Sequence, residues 1–183
     1  MSVVGVLLAA GAGTRMGQPK ALICDVSRVS WLQAAREAML AGGCREVVVV
    51  LGAQADRARG LVPDARVVVA NDWAKGMSAS LKAGLAAAST QDDESVLVHL
   101  VDLPDVGEHV IRRIVSHAAP TALARAVYGG RPGHPVLIGR DHLPLVIASL
   151  GGDQGARVYL AANPTNRVEC SDLAGGMDVD TRP

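Results

Sequence analysis

Val3-Val4-Gly5-Val6-Leu7-Leu8-Ala9-Ala10-Gly11-Ala12-Gly13-Thr14-Arg15-Met16-Gly17-Gln18-Pro19-Lys20 begins as an apolar run and ends as a basic, glycine-rich turn. The run, rich in valine and leucine, has the length of a parallel strand buried on both faces. From Gly11 to Lys20 the turn holds three glycines, two cations and no acid. Glycine permits left-handed backbone and close approach of another group, and successive N–H groups in such a turn form a nest for anionic oxygens. Arg15 adds a rigid fork of donors suited to phosphate, and Lys20 a mobile point charge. A buried strand feeding a basic, acid-free turn predicts a polyphosphate site.

Two common phosphate loops do not fit. A P-loop needs Lys directly after its last Gly, where this chain has Gln18 after Gly17. The dinucleotide fingerprint needs a shorter spacing than Gly11, Gly13 and Gly17 give, and an acid closing the second strand, where Gly52-Ala53-Gln54 stands. The other alternative is a purely structural strand-to-helix turn with incidental charges.

Outward from this loop, strands and helices alternate. Ser30 caps a helix from about Trp31 to Leu40, closed by Gly42-Gly43, and Glu46 to Leu51 reads as the second strand. A short polar helix near Asp56 to Leu61 precedes a third strand, Ala65 to Ala70. Ser95 to Asp102 is a fourth strand and Asn166 to Glu169 a late one. Ala126 to Ile138 reads as two short strands around a tight turn, and Asp141 to Leu150 as a helix. This alternation predicts an α/β fold, a doubly wound and mostly parallel sheet with helices on both faces. The 183 residues suit a single domain, residues 1–183.

Hydrophobic residues make up 49% and aromatics 2%, with no Phe, so the core must be Val, Leu, Ile and Ala. So few aromatics argue against a base-stacking platform for single strands. With 18 Lys plus Arg against 18 Asp plus Glu, no global field attracts nucleic acid, and anion recognition must be local. Cys24, Cys44 and Cys170 are an odd number at wide spacing, which gives neither a zinc site nor a disulfide framework. No apolar run is long enough to span a bilayer. A soluble cytoplasmic protein with free thiols is expected.

Further candidates follow the loop. Asn71 can read a base or ribose edge, and the helix opening near Gly76 and Ser78 offers N–H groups and hydroxyls to a ligand; the alternative is an ordinary turn capped by Ser78. Asp102 closes the fourth strand, where ligands bind in open parallel sheets, and a carboxylate there can hold Mg²⁺ bridging a triphosphate. Asp105, three residues before Glu108, reads as the cap of a helix through His117, and His99 as a satisfied core histidine. His134 either donates to a phosphate or is an exposed loop residue. Asp153 and Arg157, opening a helix to Ala162, are either an N-cap and a solvated cation or ligand contacts. Asp178 and Asp180 share one face if their segment is extended.

These segments, in this order, resemble the signatures of nucleotidyltransferases with a Rossmann-like fold, and most closely the molybdenum cofactor cytidylyltransferase branch. The matching residues are Leu8-Ala9-Ala10-Gly11-Ala12-Gly13-Thr14-Arg15-Met16-Gly17-Gln18-Pro19-Lys20, Asn71 to Leu81, Asp102-Leu103-Pro104-Asp105, Gly133-His134-Pro135-Val136, Gly152-Asp153-Gln154-Gly155-Ala156-Arg157 and the Asp178-x-Asp180-Thr181 segment. The resemblance implies Mg²⁺-dependent transfer of a nucleoside monophosphate from a nucleoside triphosphate to a phosphate acceptor, with release of pyrophosphate. It implies that Leu8, Ala9, Ala10, Gly11, Gly13, Thr14, Arg15, Lys20, Asn71, Gly76 and Ser78 bind the nucleotide. Arg15 and Lys20 would act on the phosphates, Asp102 with Asp178 or Asp180 would hold the metal, and His134, Asp153 and Arg157 would face the acceptor. The branch points to CTP and molybdopterin cofactor, with a molybdoenzyme or its chaperone as partner; Ala10, where guanylyl-transferring relatives usually carry glycine, leans toward CTP. GTP as donor, a sugar phosphate as acceptor, and a non-catalytic accessory protein for molybdoenzyme maturation are the alternatives. In the family a helix usually follows the final acids, whereas this chain ends at Pro183, and a frayed end would hold metal poorly.

Overall fold

The computed structural model describes residues 2–25, 27–88 and 93–180. The opening run is β1 (Val3–Ala9), buried at every position, as expected of a strand covered on both faces. In chain order there follow α1 (Trp31–Ala41), β2 (Glu46–Leu51), α2 (Ala55–Arg59), β3 (Arg66–Val69), α3 (Met77–Ala88) and β4 (Ser95–Leu100). Beyond them lie α4 (Glu108–Val115), β5 (Leu123–Tyr128), β6 (Arg131–Gly139), α5 (Leu143–Ser149), α6 (Arg157–Ala162) and β7 (Asn166–Glu169). Ser30 caps α1 as a complete capping box: its hydroxyl accepts from Gln33 N–H, and the Gln33 side chain accepts from Ser30 N–H.

The strands form one seven-stranded sheet in the order β3-β2-β1-β4-β6-β5-β7. β1 to β4 pair in parallel, β5 and β7 pair in parallel, and β6 alone runs antiparallel to its neighbours β4 and β5. The expected Rossmann-like, mostly parallel α/β sheet is therefore present. Alternation along β1 splits the interior in two. Val3, Leu7 and Ala9 join Leu32, Met39, Leu97 and Ile111 on one face, while Val4, Val6 and Leu8 join Leu81, Leu85, Val98 and Val136 on the other.

Strand order reverses between β1 and β4, because the chain leaves β1 toward β2 and β3 and returns to place β4 on the opposite side. A crevice opens beyond the carboxyl ends of strands at such a point. The loop after β1 and the turn after β4 both end there, which sets the location of everything below.

Two expectations fail, one within β4 and one just after it. The cap of α4 is Gly107, with no side-chain bond, so Asp105 does not cap it. The Asp105 carboxylate instead accepts from the N–H groups of Gly175 and Gly176 at 2.8 and 3.0 Å. His99 is fully buried, but among the described residues neither ring nitrogen has a hydrogen-bond partner, so it is not satisfied. Burial, followed by the nearby His134, lowers its pKa to about 3, and the ring is neutral at physiological pH.

Candidate functional site

Beyond Ala9 the backbone turns through Gly13 (φ 60°) into a short 3-10 turn, Thr14–Met16, and out through Gly17 (φ 74°). Both angles lie in the left-handed region that favours glycine, and at Gly13 a Cβ would also overlap the Gln18 carbonyl. Pro19 then starts a second 3-10 turn, Lys20–Leu22, which aims Lys20 back toward β4. A cleft of about 360 Å³ lies against this loop, lined by Leu8, Ala9, Ala10, Gly11, Gly13 and Lys20 on one side. Trp73, Gly76, Met77, Ser80 and Asp102 line the other.

Lys20 Nζ lies 2.8 Å from Asp102 Oδ2 and 2.7 Å from Asp180 Oδ1, and Arg15 Nη1 lies 2.6 Å from Asp180 Oδ2. Burial works to lower the Lys20 pKa, but the hydrogen bonds and charges of Asp102 and Asp180 outweigh it and hold the ammonium above its ordinary value. The hydrogen bond and charge of Lys20 in turn hold Asp180 below the usual carboxylate range. Any stability Asp180 contributes is thus present at neutral pH and disappears as pH falls below that range.

Asp102, Asp178 and Asp180 each present an oxygen within 4.8 Å of the other two. The second oxygen of Asp102, Oδ1, is buried with no partner among the described residues. A buried carboxylate oxygen left bare is costly, and three hard oxygen donors suit Mg²⁺ or Mn²⁺ rather than a softer ion. The residues present therefore fit a divalent cation. The stretch from Gly175 to Asp180 is held in place: Val179 N–H donates to the Asp102 carbonyl at 3.0 Å, and Asp105 grips Gly175 and Gly176. Thr181 lies outside the described residues.

Several sequence candidates stand elsewhere. Asn71 does not line the cleft; it is exposed on a separate shallow depression with Asp72 and Lys82, because the turn after β3 sends Trp73 inward instead. Ser78 N–H donates to Gly152 O, and its hydroxyl donates to Gly151 O and accepts from Gly155 N–H, so it neither caps α3 nor offers a free group to a ligand. It ties α3 to the loop that precedes α6. Gly76 (φ 113°) belongs to the same junction, since a Cβ there would overlap Asp153 Oδ1. Thr14 is exposed and outside the cleft lining.

His134 is neither a loop residue nor fully exposed. It sits in β6 and lines a second cavity of about 260 Å³ with Arg125, Asp153 and Arg157. Leu8 and Met77 line both cavities, so the two adjoin. Burial, and then the charge of Arg125, lower the His134 pKa to about 4, leaving a neutral ring at pH 7. Trp73, Met77, Ser80 and Arg125 were not singled out from the sequence. For Arg125 a signal existed, as a lone cation on the Leu123 and Val127 face of an otherwise apolar strand.

No helix among the described residues is long and apolar enough to cross a membrane. A protein of Paenarthrobacter nicotinovorans named nicotine blue oxidoreductase is 42% identical over 98% of this chain and 92% of its own length. Rv0371c of Mycobacterium tuberculosis superposes with a TM-score of 0.86 at 27% identity, over 99% of this chain and 94% of that one. A structure of Rv0371c in complex with manganese gives 0.77 at 25%, over 93% and 89%. A Methanothermobacter nucleotidyl transferase gives 0.84 at 26% identity, over 98% and 92%. Residues 5–168 match the MobA-like NTP transferase domain. With a glycine-rich loop, a cationic lysine and the carboxylate of Asp102 meeting at the crevice between β1 and β4, the chain belongs to the MobA-like NTP transferase family.

Proposed function

We propose that this protein transfers a cytidylyl group from CTP to a terminal phosphate of molybdopterin cofactor with the help of Mg²⁺, as one domain over residues 1–183 in the cytoplasm. The observation that carries the reading is the meeting of the glycine-rich turn, Lys20 and Asp102 at one cleft, with Asp178 and Asp180 clustered on Asp102. The acceptor phosphate oxygen forms a bond to the α-phosphorus, the bond from that phosphorus to the β-phosphate oxygen breaks, and pyrophosphate leaves. An acceptor phosphate is already anionic, so no general base is needed, and positioning with charge neutralisation does the work. The N–H groups of residues 11–17 and Arg15 hold the departing pyrophosphate. Lys20 binds the α-phosphate, where charge shifts as the bond breaks. Asp102, with Asp178 and Asp180, would hold Mg²⁺, which when bound neutralises phosphate charge and orients the triphosphate. On binding, Lys20 and Arg15 exchange Asp180 for phosphate. Arg157, His134 and Asp153 face the acceptor from the adjoining cavity, which a molybdoenzyme or its chaperone would relieve of product.

Pyrophosphate release tests this directly. Release is expected with CTP only when molybdopterin is present, slower with GTP, and none after chelation of divalent metal. Release that ignores molybdopterin would reassign the acceptor.

A second reading rests on one observation, the name of the Paenarthrobacter nicotinovorans relative at 42% identity. An oxidoreductase could seat a dinucleotide pyrophosphate on the same turn, although the Gly52-Ala53-Gln54 segment after β2 supplies no acid for a ribose. Oxidation of NADH or NADPH without pyrophosphate release would favour this reading.

Asp105 supplies a prediction of its own. Asp105→Ala frees the N–H groups of Gly175 and Gly176 and unfastens the segment carrying Asp178 and Asp180. Calorimetric Mg²⁺ affinity is expected to fall roughly tenfold, as when a group that orients metal ligands is lost, while the far-ultraviolet spectrum is unchanged.

A further inference from the structure

The second cavity carries more charge than its role so far requires. Arg125 of β5, Arg157 at the start of α6 and His134 of β6 converge on it over an apolar floor of Leu81, Val98 and Ile138. One Arg125 terminal nitrogen donates to Gly133 O at 3.1 Å, and Tyr128 Oη donates to His134 O at 2.7 Å, so the β6 corner and the guanidinium are fixed to each other. Arg125 Nε is buried with no hydrogen-bond partner, and among the described residues no carboxylate lies within 4.0 Å of a nitrogen of Arg125 or Arg157. Asp153, the one acid lining the cavity, sits instead against Gly76. Burial, and then the like charge of Arg167, disfavour the Arg125 cation. A half-buried guanidinium with no counter-charge is destabilising until an anion arrives.

We propose that Arg125 is the charge anchor of an acceptor subsite, which seats a phosphate attached to a flat or apolar body and discriminates against neutral acceptors. This rests on the transferase reading for the word acceptor, but not for the binding itself. The guanidinium fork matches a phosphate in two simultaneous hydrogen bonds. Arg157 supplies a second charge, the neutral His134 ring one donor, and the aliphatic floor packs the body of the ligand. Arg125 would therefore set which acceptors are used, whereas the nucleotide cleft sets the donor.

The probe is phenyl phosphate, with benzoate and phenol as comparisons, and the readout is the ring proton resonance of His134 in the whole protein, assigned with His134→Gln. This signal reports the second cavity and not the cations at Arg15 and Lys20. Phenyl phosphate is expected to shift the resonance to saturation, benzoate to do so more weakly and phenol not at all. In Arg125→Met half-saturation should require at least roughly tenfold more probe, as for loss of a charged hydrogen bond, with partial recovery in Arg125→Lys and with CTP affinity within about twofold of the original. A His134 resonance that does not respond to phenyl phosphate, or an equal response in Arg125→Met, overturns the proposal. Should Arg125→Met fail to fold, the ranking of the three probes on the unaltered protein and the Arg125→Lys titration decide it: phenol shifting the resonance as well as phenyl phosphate, or no weakening in Arg125→Lys, overturns it. If CTP does not bind while phenyl phosphate does, the transferase reading fails and the anion subsite stands.

Discussion

Asp102→Ala is expected to reduce kcat/KM for the proposed cytidylyl transfer by on the order of 10³-fold or more, the scale of losing several kcal/mol of metal-borne charge stabilisation. β4 ends at Leu100, and Val101 N–H still bonds to Leu8 O at 3.1 Å, so Asp102 is the first residue free to turn into the crevice from a rigid base. Its side chain is only 20% exposed, with one oxygen on Lys20 and the other buried and bare. Asp178 and Asp180 are carried by a segment whose position depends on Asp105 and on the Asp102 backbone carbonyl. Asp102 is therefore the carboxylate with the best-fixed geometry, and the one whose loss the others cannot replace. Asp102→Asn, which keeps the shape and removes the charge, should be nearly as inactive. Thermal unfolding separates this loss from misfolding: a fully inactive variant with near-normal stability supports the role, and near-normal activity at any stability contradicts it.

Lys20→Ala gives the second large effect, and it should divide into two opposite parts. Turnover falls by about 10²–10³-fold, as when one preorganised donor to a developing charge is removed. In the absence of nucleotide, however, divalent metal should bind more tightly than to the original protein. Lys20 neutralises Asp102 and Asp180 at 2.8 and 2.7 Å, and a metal ion entering the cluster competes with that ammonium. Removing it leaves three mutually repelling carboxylates with Arg15 as the nearby cation, and repulsion of this kind favours uptake of a counter-charge. A purely structural lysine would lower both quantities together. Metal titration by calorimetry beside steady-state pyrophosphate release distinguishes the two.

The same contacts show why some of the site could be read along the chain and some could not. The strand and turn that open the chain were legible because their geometry is local: an apolar run fixes β1, and the glycines at 13 and 17 adopt the left-handed angles that a tight turn demands. The sheet was legible for a related reason. Runs such as Glu46 to Leu51 can be buried on both faces only inside an alternating α/β layer. Asp105 was misread because an acid three residues before a glutamate looks like a cap, and its actual partners, Gly175 and Gly176, are 70 and 71 residues away. The placements of Ser78 and Asn71 were likewise hidden in the sequence. Spacing shows that a helix begins near Ser78, but not that the loop from Gly151 to Gly155 folds against it. Arg125 lies in β5 just before the stretch read as strand, and was not singled out from the sequence. Its meaning appears once β6 and α6 are placed around it, because an uncompensated charge is a property of the neighbourhood and not of the residue.

In the proposed mechanism a divalent ion on Asp102 and the carboxyl-terminal acids sits beside a triphosphate wrapped by the turn after β1. A crystal structure of the protein with Mn²⁺ and a non-hydrolysable CTP analogue measures this most directly, because manganese is located by its anomalous signal. An anomalous peak coordinated by Asp102 with Asp178 or Asp180 is expected, with phosphates along residues 11–17 and Lys20 withdrawn from Asp180 onto the α-phosphate. A nucleotide bound elsewhere, or a cleft in which Lys20 keeps both carboxylates while the analogue is present, would contradict it.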